Sequence, residues 1–122
     1  MSTIFRVAPD DRVEGQATSG MVREEAIATD RLWSGFVTTE PQMVSGWHHH
    51  SGYESSIYVL SGKLRMEFGS DGSHSFVAGP GDFVYVGKWI VHREGNPSDE
   101  RSTFVVTRGG EGEVVVNVDG PV

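Results

Sequence analysis

The chain has 122 residues, 37% hydrophobic and 22% charged, with 17 acidic against 10 basic side chains and a formal charge of −7. That length fits one hydrophobic core and not two of ordinary size, and the apolar content is too high for a disordered chain. There is no long uncharged apolar run to span a membrane, and an acidic balance without a basic cluster opposes nucleic acid and acidic lipid. Without cysteine there is no disulfide, thiolate metal site, iron–sulfur cluster or cysteine nucleophile, so any metal must be held by nitrogen and oxygen. Residues 1–6 carry neither the basic patch nor the apolar stretch of a signal peptide, which predicts a cytoplasmic protein.

In chain order, residues 21–30 offer at most a helical turn or two, with weak apolar spacing. Short runs rich in Val, Ile, Phe, Tyr and Trp follow at 32–39, 56–60, 64–68, 83–86, 89–92, 103–107 and 114–118. Between them lie turn-forming stretches such as Ser61-Gly62, Gly79-Pro80-Gly81-Asp82 and Asn96-Pro97-Ser98-Asp99. The pattern predicts one all-β domain over residues 1–122, a sandwich or barrel, with its sixteen glycines at segment ends.

The chemistry concentrates in 46–62, which contains Gly46-Trp47-His48-His49-His50 and ends on Ser61-Gly62. In a strand, side chains two apart share a face, so His48 and His50 can present two imidazoles to one point while His49 faces away. Imidazole suits zinc, iron, nickel, copper and manganese. A surface histidine cluster is the plain alternative. A second segment, 79–96, runs turn, strand, turn and strand, and carries His92 and Asn96.

Together the two segments resemble the paired motifs of the cupin superfamily: His48-x-His50, Gly62, Gly81, His92 and Asn96 fall at the family spacing. The resemblance implies a cupin double-stranded β-helix, a jelly-roll barrel with a short N-terminal arm. It also implies one divalent transition metal per chain (Fe, Zn, Mn or Ni) on His48, His50, Glu54 and His92. Two departures stand out. Gly87-Lys88-Trp89 replaces the family's Pro-x-Gly turn, and the family's glutamate position falls on Ser55, with Glu54 one residue earlier. A one-residue offset reverses strand face, and Glu54 shares phase with Tyr58 and Leu60. Either a bulge before Ser55 turns Glu54 inward, or the metal has three imidazoles and water.

Elsewhere, His49 is expected on the second face and His74 in a solvated polar turn. Most of Trp33, Phe36, Trp47, Tyr85 and Trp89 are expected in the core, with an aromatic-lined ligand pocket as the alternative. Tyr53, Glu40, Glu54, Tyr85 and Glu94 are candidate acids or bases without identifying spacing. The resemblance implies a metalloenzyme for a small molecule, of oxygen-using, dioxygenase-like oxidoreductase type. A non-redox isomerase or cyclase, or a non-catalytic binding module, is the alternative. It further implies a homodimer, paired through outer strands or by exchange of residues before Leu32.

Overall fold

A computed structural model describes residues 3–15 and 18–121. Among the described residues eleven strands form: β1 (Val13–Glu14), β2 (Met21–Ala28), β3 (Leu32–Thr39), β4 (His48–His49), β5 (Gly52–Ser61), β6 (Leu64–Phe68), β7 (His74–Ala78), β8 (Phe83–Val86), β9 (His92–Gly95), β10 (Ser102–Glu111) and β11 (Val116–Asn117). They make two antiparallel sheets, one ordered β1-β2-β3-β10-β5-β8 and the other β11-β4-β9-β6-β7. The two sheets face each other, and Val37, Ile57, Val59, Leu64, Met66, Phe104 and Val106 fill the space between them. The all-β jelly-roll architecture predicted from sequence is the observed one. Among the described residues no helix is long and apolar enough to cross a membrane.

Alternation builds the walls. Along β5, Tyr53, Ser55, Ile57 and Val59 are buried while Glu54, Ser56 and Leu60 are exposed, the signature of a strand with one face on a core. Gly62, at φ +75°, makes the tight turn from β5 into β6, and a Cβ there would collide with Ser102.

Three local expectations are corrected. Residues 21–28 form a strand rather than helical turns, paired with β3 from Met21↔Thr39 to Ala28↔Trp33. Their weak periodicity yields to the unpaired N–H and C=O groups along β3, which a neighbouring strand satisfies. Residues 89–91 are not strand: Trp89 has φ 61°, in the left-handed region, and the strand begins only at His92. His74, expected in a solvated polar turn, is exposed but opens β7 against β6, where it stacks on Phe68 with ring centroids 5.6 Å apart. Of the aromatic residues expected in the core, Trp33 alone is buried; Trp47 and Phe36 are half-buried, and Tyr85 and Trp89 are exposed.

Candidate metal centre

β4 and β9 meet at a single register point, His48↔His92, which sets two imidazoles opposite each other on the inner face. His50 follows β4 by one residue and still turns inward. His92 and Glu94, two apart on β9, share a face by the same period-two rule. The ring centroids are 4.4 Å apart for His48–His92 and 5.1 Å for both His48–His50 and His50–His92. One ligand atom from each of His48, His50, His92 and Glu94 lies within 4.8 Å of every other, and all four residues are buried.

The hydrogen bonds around the rings fix their tautomers. His48 Nδ1 donates to Gly46 O at 3.0 Å, His50 Nδ1 to Val114 O at 2.6 Å and His92 Nδ1 to Ile90 O at 2.9 Å. A carbonyl oxygen can only accept, so the proton of each neutral ring sits at Nδ1 and the Nε2 lone pair is free for a cation. His48 Nε2 is buried without a hydrogen-bond partner, 3.7 Å from Glu94 Oε1, while His92 Nε2 lies 3.2 Å from the same oxygen. Lone pairs and a carboxylate converging this closely call for a positive charge among them. The donor set, three imidazoles and one carboxylate, fits a first-row divalent metal.

Electrostatics agree. Burial, the Arg108 charge and the other two rings push His50 down to about 2, so it stays neutral and able to ligate. Burial alone would push the Glu94 carboxyl up, but the attraction of His48 and His92, exerted when Nε2 carries a proton at the point a cation would otherwise occupy, outweighs that and holds it well below the usual carboxylate range. Ser45 fixes the carboxylate's backbone: its Oγ accepts from Glu94 N at 3.0 Å and its N donates to Glu94 O at 2.8 Å.

Glu54 lies outside this cluster, which corrects the ligand set expected from sequence. It is exposed on the outer face of β5, and its Oε1 accepts a 2.8 Å hydrogen bond from the Tyr85 hydroxyl. No bulge turns it inward: Ser55 and Glu54 pair in unbroken register with Arg108 and Gly109, and the β5–β10 register shifts only between Thr103 and Phe104. The carboxylate beside the rings is Glu94, which sequence reasoning had listed only among possible acids or bases. Applying the two-residue rule to His92-x-Glu94, as to His48-x-His50, identifies it. His49 does face away; its Nδ1 accepts from Ser51 N, and its ring lies 5.6 Å from that of Trp89.

Beside the cluster opens a cavity of about 270 Å³, lined by Met66, Phe68, Phe76, Val86, Ile90 and His92, with Tyr85 and Gly87 completing its wall. His92 is thus shared between the donor set and an apolar chamber sized for a small organic molecule.

No curated protein matches the chain at a significant level. Among solved structures, it is similar to KdgF from Halomonas sp. (17% identity, TM-score 0.74, covering 90% of this chain and 96% of that one). It is likewise similar to the polyketide cyclase RemF from Streptomyces resistomycificus (21%, 0.77, 95% and 86%). These two likenesses establish the fold. Oxalate decarboxylase from Bacillus subtilis is 28% identical over 84% of this chain, with TM-score 0.70, and the match spans 28% of that longer protein. Residues 35–108, more than half the chain and containing all four clustered residues, match the model of the Cupin domain, and with the two-sheet barrel around them this chain belongs to the cupin family.

Proposed function

We propose that the protein is a metal-dependent enzyme acting on a small molecule in the cavity over His92, of oxygen-using, dioxygenase-like oxidoreductase type. The observation that carries this reading is the convergence of three Nδ1-anchored imidazoles and Glu94 beside an apolar chamber. When bound, a redox-active divalent ion supplies Lewis acidity and electron transfer. His48, His50 and His92 hold it through Nε2, and Glu94 offsets part of its charge. Met66, Phe68 and Ile90 give the cavity over His92 an apolar lining that would limit water there.

With all four residues as donors, an ion that accepts six ligands, such as iron or manganese, would still have room for a substrate where a four-coordinate zinc would not, which favours the first two. The Mn(II) centers of Bacillus subtilis oxalate decarboxylase, 27% identical over 88% of this chain, support manganese as one occupant. Elemental analysis of untagged protein tests the metal: about one first-row divalent ion per chain is expected. The class of chemistry is tested by oxygen uptake of the iron- and manganese-loaded forms with small enols, catechols and diketones, with His92→Ala inactive. Turnover by the zinc-loaded form without oxygen uptake would instead identify the non-redox isomerase or cyclase alternative.

A homodimer is part of the proposal. β8 ends its sheet, and its outward residues Phe83 and Tyr85 are 72% and 68% exposed. An edge strand with large exposed apolar side chains is a surface that a second copy can cover.

A further inference from the structure

One row of inward side chains crosses the six-stranded sheet at the end nearest the histidines: Trp33 on β3 pairs with Arg108 on β10, Arg108 with Ser55 on β5, and Ser55 with Val86 on β8. All four are buried. The next inward row toward the other end, Gly35, Val106, Ile57 and Val84, is wholly apolar, so Arg108 and Ser55 form a polar spot in the middle of a hydrophobic wall.

The Arg108 guanidinium carbon lies over the Trp33 ring, 4.6 Å from its centroid, and the residue is 3% exposed. Its Nε and Nη1 have no acceptor, and neither does the Ser55 hydroxyl beside it. Unfilled donors on a buried cation are costly, so the folded protein needs an acceptor for them, supplied by water or by a ligand. Arg108 remains protonated at neutral pH even though burial and the Arg23 charge lower it to about 9, with Glu94 and Tyr53 acting the other way.

We propose that Arg108 and Ser55 form an anion subsite that takes the carboxylate of a small apolar acid, whose remaining part lies in the cavity over His92. Val86 joins the two regions: it pairs with Ser55 and lines the cavity. From β10 to β8 is two strand spacings, about 10 Å, within reach of a short acid between an arginine side chain and the cavity wall. An acid is selected over its neutral analogues because a carboxylate accepts charge-assisted, bidentate hydrogen bonds from a guanidinium, stronger than those a neutral carbonyl accepts. The subsite names the substrate class of the proposed enzyme and rests on that reading only for the reacting end; the carboxylate contacts stand on Arg108 and Ser55 themselves.

The test is calorimetric titration of the metal-loaded protein with benzoate and hexanoate, each compared with its neutral amide. The acids are expected to bind at least about tenfold more tightly than the amides. Arg108→Met removes that preference while metal content stays at the parent level, and Ser55→Ala weakens the acids without affecting the amides. A second reading needs no variant: benzoate raises the melting temperature of the parent protein, whereas benzamide, or chloride at equal ionic strength, does not. Equal affinity for acid and amide, binding of neither, or an undiminished acid preference in folded Arg108→Met overturns the subsite. A parent protein that retains no metal yet still prefers the acids overturns the metal reading and supports the subsite.

Discussion

His48 and His92 face each other across the β4–β9 ladder with ring centroids 4.4 Å apart, and each brings Nε2 to within 3.7 Å of the same oxygen, Glu94 Oε1. Two imidazoles sharing one carboxylate oxygen form a cradle for a cation.

Glu94→Gln and Glu54→Gln discriminate between the two carboxylates. The first removes the buried charge beside the rings and is expected to weaken metal retention by roughly 10- to 100-fold. The second removes only an exposed partner of Tyr85 and leaves retention at the parent level. His50→Ala removes a donor and abolishes retention. Dialysis against a chelator followed by elemental analysis reads all three, and a metal loss from Glu54→Gln equal to that from Glu94→Gln would contradict the ligand set.

Acid destabilises the metal-free protein. His50 accepts a proton near 6.5 in the unfolded chain but only at about 2 when folded, so between those values the unfolded state binds the extra proton. Stability is fully present above pH 6.5 and is lost as pH falls, at about 1.4 kcal/mol per pH unit for one proton. Glu94, also depressed on folding, adds to the loss below its ordinary value of 4.5. Thermal melts at pH 7 and pH 5 check this, and an unchanged melting temperature would count against a buried neutral His50.

Gly62→Ala is expected to destabilise the fold by about 2 kcal/mol or more. The left-handed backbone costs an L-residue about 1–2 kcal/mol, and the new methyl also meets Ser102, whose Oγ accepts from Lys63 N at 2.8 Å. Calorimetric melting with a drop of roughly 8 °C or more is the expected result.

Phe83→Asp places a charge on the outer face of the edge strand β8 without touching the core. If that face covers a second copy, sedimentation shows a dimer for the parent and a monomer for the variant, with metal content unchanged.

Most of the barrel is legible because runs rich in Val, Ile, Phe, Tyr and Trp between turn-forming stretches mark β3, β5, β6, β8 and β10. The period-two rule of a strand places His48 and His50 on one face. Strand β2 was not legible, since its Arg23-Glu24-Glu25 run interrupts any apolar alternation and its place depends on β3. Glu54 was proposed from motif spacing although its phase pointed outward, and the phase decided the outcome. Arg108 gave no signal: a charged residue in a strand is expected on the wet face, and only the pairing with Ser55 and Trp33 reveals it inside.

The three imidazoles are oriented by main-chain oxygens of Gly46, Ile90 and Val114, not by side chains. No substitution at those positions can delete the acceptor, so the aim of the donor atoms is inherited with the course of the backbone. The chamber beside them, by contrast, is shaped in part by Phe76 and Ile90, exposed side chains that can change size without disturbing the core. A descendant of this chain can therefore acquire a new substrate by altering its chamber wall while leaving the aim of its histidines untouched.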